Sequence, residues 1–134
     1  MTAHHLSDEI RRNFHLFWDN YPEAVILAYK DRTIVDVNKT AQERGYPVGV
    51  RCISMGEAKH HAGCKLHIAL DEKTTVRDVA YIDFLGQVVD TYWIPLAGAE
   101  DFYVHFANDI SEFAAERLFP ENCTGKNCTS CAGA

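Results

Sequence analysis

Across residues 6–21 apolar side chains recur at helical spacing, with Ile10, Phe14, Phe17 and Trp18 forming one aromatic-rich stripe. Ser7 is placed to cap this helix, and Asp8 and Glu9 occupy its first turn, where the helix dipole favours acids. Pro22 stops it. The stripe has two readings: packing on the domain's own sheet, or contact with a second copy of the chain.

After Pro22 the period falls towards two. Residues 24–29 are an apolar, β-prone run, Lys30-Asp31-Arg32 is a polar turn, and residues 33–37 form a second β-branched strand, so the pair predicts a hairpin. Asn38 caps a short helix over 39–44, which Gly45 closes. Residues 50–69 are the least regular stretch and predict short helical turns, ending in a helix at about residues 63–70. Asp71-Glu72-Lys73 reads as a turn. Three long strands follow at 75–84, 87–95 and 102–108, linked by Leu85-Gly86 and by residues 97–101. In the last strand Phe102, Val104 and Phe106 alternate with Tyr103, His105 and Ala107. A final helix is expected over 111–118, ended by Pro120.

This order predicts an α+β domain, a five-stranded antiparallel sheet with helices gathered on one side. The organisation is an N-terminal helix at 1–22, a core at 23–110, and a C-terminal helix with a tail at 111–134. The long helical connection between the second and third strands rests across one sheet face, and a cavity beneath it is the default small-molecule site. Tyr81, Tyr92, Trp93, Phe102, Val104 and Phe106 are its candidate lining or filling.

Composition narrows the function classes. The formal charge of −6 leaves no basic footprint for nucleic acid or an anionic membrane. No apolar run approaches the ~20 residues of a membrane span, and the N-terminus has no secretory h-region. The expected location is cytoplasmic, where thiols stay reduced and clustered cysteines point to metal or redox chemistry. No Gly-rich phosphate loop or nucleophile elbow occurs, and Asp78, Asp83 and Asp90 read as strand residues on a solvated face, so no enzyme activity is expected.

The cysteines carry the chemistry. Cys123, Cys128 and Cys131 are spaced C-x4-C-x2-C in a polar tail that cannot order itself by burying apolar surface. Three thiolates are one short of the four usual for an iron–sulfur cluster or structural zinc. Cys128 and Cys131 also form a Cys-x-x-Cys pair capable of thiol redox chemistry. Of the histidines, His105 reads as structural.

The hairpin at 23–37, Val37-Asn38 at a helix start, Gly45-Tyr46-Pro47-Val48-Gly49, and the closing Ala107-Asn108-Asp109-Ile110-Ser111-Glu112 together resemble a PAS sensory domain over nearly the whole chain. The resemblance implies the PAS fold, a dimer, and a ligand drawn from haem, flavins, iron–sulfur clusters or small metabolites. Cys52 and Cys64 match the first and last of three cysteines found in many bacterial PAS sequences, and His61 stands in the place of the middle one. The missing fourth ligand is therefore sought at Cys64, with Cys52 or His61 as alternatives. His60, His61 and His67 lie in the segment that contacts ligands in PAS sensors, which keeps haem open.

The resulting expectation is a stand-alone PAS sensor with an iron–sulfur cluster, 4Fe–4S in preference to 2Fe–2S, held by Cys64, Cys123, Cys128 and Cys131 with Cys52 nearby. It would report redox state or a diatomic gas to a separate signalling partner, as a homodimer through the N-terminal helix. The alternative is a metabolite- or haem-binding PAS module whose tail binds zinc or is redox-active.

Overall fold

The computed structural model describes residues 6–54 and 64–120. Its elements run α1 (Asp8–Trp18), β1 (Val25–Tyr29), β2 (Ile34–Val37), α2 (Lys39–Glu43), a 3-10 turn (Cys52–Ser54), α3 (Leu66–Glu72), β3 (Val76–Ile82), β4 (Gln87–Leu96) and β5 (Ala99–Asp109). Two further 3-10 turns close the described chain. The five strands form one sheet in the order β2-β1-β5-β4-β3. The expected α+β class and strand number hold.

The described residues fall into two compact units, one made by those up to Val76 with Tyr92–Phe106, the other by Arg77–Thr91 with those from Ala107 onward. In the first unit, α1 begins where Ser7 accepts the Ile10 N–H at 3.1 Å. Leu6, Phe14 and the flanking Ile10 and Trp18 pack on Val25, Leu27, Val104 and Phe106. Phe17 does not join them; it is 77% exposed. It lies about 60° round the helix from Phe14, on the side away from His15. Arg11 and His15, on the other flank, bond the Asp36 carboxylate of β2, and this polar anchor rolls the helix so that Phe17 turns outward.

The strands alternate as the sequence predicts. Val25 and Leu27 of β1 meet α1, while Ile26 and Ala28 face the other way, towards α2 and α3. Helices α2 and α3 thus lie on one sheet face, and α1 covers the opposite one.

Asn38 ties this unit together. It is fully buried, and its Oδ1 accepts the N–H groups of Val25 and Ala41, both at 2.9 Å. Its Nδ2 donates to the carbonyls of Trp18 and Glu23 at 2.9 and 3.0 Å. One amide therefore caps α2, starts β1 and fixes the exit of α1.

Three segments differ from the expected boundaries. Helix α3 takes in Asp71 and Glu72 and ends at Lys73, which adopts the left-handed conformation at φ 52°. The β4–β5 connection is a tight turn at Ala97-Gly98, with Gly98 at φ 79°, so β5 starts at Ala99. Where the sequence reads as one helix at 111–118, the chain makes 3-10 turns at Ser111–Phe113 and Glu116–Leu118, with Ala114 and Ala115 extended between them.

The second unit explains that break. Phe119 is buried against Val88, with Val79, Tyr81, Ile110, Ala114 and Leu118 around them. The Ile110 N–H donates to the Val88 carbonyl at 2.9 Å, and the Val88 N–H donates to Ser111 Oγ at 3.0 Å. Ser111 is fixed in turn by Asp109 Oδ1, which accepts its N–H and its hydroxyl. Packing of Phe119 overrides the local helical preference. Asp90 is also corrected: it is buried rather than solvated, and its carboxylate accepts Arg77 Nε and Nη2 at 2.6 and 3.0 Å.

Candidate functional site

The site is built on the sheet face beneath α3. Trp93 and Tyr103 present there from β4 and β5, Ala28 from β1, and Leu66 and Ala69 from α3. The Tyr103 side chain is almost wholly enclosed. His105 stacks on Trp93 with ring centroids 5.1 Å apart, and its Nδ1 donates to the Tyr92 carbonyl at 2.9 Å, which places a proton on that nitrogen.

The β1–β2 turn delivers the charged member. The Arg32 N–H donates to the Tyr29 carbonyl at 2.7 Å, the Tyr29 N–H donates to the Thr33 carbonyl at 2.9 Å, and Asp31 Oδ1 accepts the Thr33 N–H. This is a three-residue hairpin loop whose last residue takes the left-handed conformation. That position suits glycine, yet it is Arg32, at φ 75°. The conformation costs a non-glycine residue about 1–2 kcal/mol. Its side chain runs to Cys64, with Nη2 3.8 Å from Sγ, while Nε is buried without a hydrogen-bond partner among the described residues.

Residues 49–52 run beside β2. The Gly49 N–H donates to the Ile34 carbonyl, the Ile34 N–H to the Val50 carbonyl, and the Cys52 N–H to the Arg32 carbonyl at 2.9 Å. Cys52 is thereby set against Ile26, Ile34, Val37 and Ala41, next to the arginine. The Cys52 thiol hydrogen-bonds the Tyr103 hydroxyl, and Cys64 lies within electrostatic reach of the same oxygen. The Tyr103 phenol is pushed far above its ordinary 10, chiefly by burial, then by Cys52 and Cys64, with Arg32 pulling the other way.

Cys52 and Cys64, neither of them in a disulfide, thus lie about one phenol, and Cys64 faces a guanidinium. That set offers two soft sulfur ligands and a charged donor to a sulfur. Two thiols are half of a four-thiolate cluster set. Among the described residues no three His, Cys, Asp or Glu side chains are grouped to hold a metal ion. Cys123, Cys128, Cys131, His60 and His61 lie outside the described residues. His67 is described and is exposed on α3.

Of the expected pocket residues, Trp93 lies on this face. Tyr92, Phe102, Val104 and Phe106 belong to the α1 side, and Tyr81 packs on Phe119 in the second unit. Tyr103 shares strand parity with His105, which is the signal that finds it. Arg32 has no comparable signal, because its role depends on the hairpin turn.

No protein-family model matches the chain, and no curated protein sequence matches it. Solved structures do. The chain is similar to the PAS domain of Bordetella pertussis BvgS, with TM-score 0.60 and 15% identity over 77% of this chain and 88% of that one. It is also similar to a sensory box sensor histidine kinase from Vibrio cholerae, with TM-score 0.55 and 16% identity over 81% and 98% of the two chains. A third likeness is to the photoactive yellow protein domain of the sensor histidine kinase Ppr from Rhodospirillum centenum, with TM-score 0.52 and 15% identity over 78% and 100%. The chain has the PAS fold.

Proposed function

We propose that this chain is a sensory module whose input is read at the Cys52–Cys64–Tyr103–Arg32 centre, and that Cys64 with Cys123, Cys128 and Cys131 holds an iron–sulfur cluster there. The observation that carries the reading is the convergence of Cys52 and Cys64 on one buried phenol, with Arg32 donating to the Cys64 sulfur. The fold shared with domains of sensor histidine kinases supports the sensory role. A bound cluster would supply one-electron redox chemistry and a reactive iron for oxygen or another diatomic gas. With such a cluster bound, Arg32 would donate to the Cys64 sulfur, Tyr103 would bond Cys52, and Trp93, Leu66 and Ala69 would form the apolar wall of the centre. Anaerobically purified protein should be brown and contain iron and acid-labile sulfide. Colourless, iron-free protein after reconstitution contradicts the cluster.

A second reading is favoured by one observation. Among the described residues the buried Arg32 Nε has no hydrogen-bond partner, and a small anionic metabolite would satisfy it. Native mass spectrometry separates the two: an organic adduct on iron-free protein supports the metabolite.

The output passes to a partner chain, and the outer side of α1 is the proposed homodimer contact. No helix among the described residues is long and apolar enough to cross a membrane. Leu16 and Phe17 are 76% and 77% exposed next to each other on that helix. Phe17→Glu should convert the dimer to a monomer by light scattering without lowering thermal stability. An unchanged mass places the dimer contact elsewhere.

A further inference from the structure

Both ring nitrogens of His15 lie at hydrogen-bond distance from carboxylate oxygens, Nδ1 at 2.7 Å from Asp19 Oδ1 and Nε2 at 2.9 Å from Asp36 Oδ2. A carboxylate only accepts, and a neutral imidazole carries a single N–H. The geometry is therefore satisfied in full only when both nitrogens are protonated.

The two acids belong to different elements. Asp19 is the C-cap of α1, and its own N–H donates to the His15 carbonyl at 3.1 Å. Asp36 is buried on β2. We propose that His15 is a proton-operated latch: as imidazolium it bridges Asp19 to Asp36 and tightens α1 on β2, and on losing its proton it loosens that hold.

The other groups facing the ring set how large the effect is. Arg11 Nη1 donates to the same Asp36 Oδ2 at 2.8 Å and to the Val35 carbonyl at 3.3 Å. The second oxygen of Asp36 accepts the Val37 N–H at 2.9 Å. From α2, the backbone N–H of Lys39 donates to Asp19 Oδ1 at 3.1 Å. Phe14 meets the ring edge-on and carries no charge. Loss of the His15 proton leaves Asp36 with Arg11 as its cationic partner and turns one ring nitrogen lone pair towards a carboxylate. Arg11, the packing of Leu6, Ile10, Phe14 and Trp18 on the sheet and the Asn38 bond to the Trp18 carbonyl still hold the helix, so the expected response is loosening of α1 with the fold retained.

Burial of the ring lowers the His15 pKa, but the hydrogen bonds and charges of Asp19 and Asp36 outweigh it, and the value stands above 6.5. A folded-state pKa above the unfolded one means the stabilisation is complete below about pH 6.5 and fades as pH rises through the folded value. The latch therefore closes in acid and opens as the pH rises through that raised value.

The test is an NMR titration of the full chain, following the His15 ring and the α1 amides together. The His15 midpoint should lie above 6.5, and the amides of Ile10 to Trp18 should shift with that same midpoint. His15→Arg, charged throughout, should hold the α1 resonances at their acid positions at every pH. His15→Gln should keep them near the alkaline positions and remove the dependence. A midpoint below 6.5, α1 amides that stay still while the ring titrates, or a response that survives in His15→Gln overturns the proposal. If His15→Gln does not fold, the wild type and His15→Arg decide it alone.

Discussion

Asn38→Ala should lower the unfolding free energy by about 3–5 kcal/mol, measured by chemical denaturation with circular dichroism. Loss of the α2 cap contributes about 1 kcal/mol. The Val25 N–H and the carbonyls of Trp18 and Glu23 would lose their side-chain partner, and a buried group left unsatisfied costs about 1–3 kcal/mol. Alanine cannot supply both an acceptor and a donor. Asn38→Asp is informative for the same reason: it keeps the acceptor for Val25 and Ala41 but turns a second oxygen towards two carbonyls, so it should also destabilise. A loss below about 1 kcal/mol for Asn38→Ala would mean that the amide is not the tie between α1, β1 and α2 that its four hydrogen bonds describe.

Tyr103 separates packing from chemistry at the candidate site. Tyr103→Ala removes one of the largest fully buried side chains and should cost about 3–5 kcal/mol, as aromatic-to-alanine changes in cores do. Tyr103→Phe keeps the ring and deletes the hydroxyl bonded to Cys52, and should cost about 1 kcal/mol. The raised Tyr103 pKa adds a pH signature. The folded state keeps this phenol protonated while the unfolded chain ionises it above its ordinary 10, so the stabilisation is whole below pH 10 and falls as pH rises further. One such group lowers stability by about 1.4 kcal/mol per pH unit in that range. Stability of Tyr103→Phe measured against pH should lack this component of the alkaline slope. Equal slopes in the two proteins would show that the hydroxyl is not shielded as described.

Much of this fold is legible in the residues alone. The change from helical period to alternation at Pro22, the polar turn at 30–32 and the Asn38 cap mark elements that are fixed by local chemistry, and each forms where expected. The misreadings arise where distant groups decide. Phe17 sits in the apolar stripe on any helical wheel, but the bonds from Arg11 and His15 to Asp36 rotate α1 and expose it. Asp90 looks solvated until Arg77, thirteen residues earlier, closes on it with two hydrogen bonds. The helix expected at 111–118 gives way to two 3-10 turns because Phe119 packs on Val88.

The candidate site was half legible. Cys52 and Cys64 are conspicuous as residue types, and alternation along β5 assigns Tyr103 its face. Nothing along the chain marks Arg32, because its importance lies in a left-handed backbone that aims the guanidinium at Cys64. Side-chain direction set by one φ angle is information that residue spacing does not hold.

The central claim is that Cys64, placed by Arg32 beside Cys52 and Tyr103, is a ligand of the sensing centre. Iron and acid-labile sulfide in anaerobically purified wild type, compared with Cys64→Ser at equal protein concentration, test it most directly. The account predicts a brown wild type, and a folded Cys64→Ser protein that has lost most of its iron, sulfide and visible absorption. Wild-type protein that stays free of iron and sulfide, or a Cys64→Ser variant that keeps the full wild-type content, would contradict it.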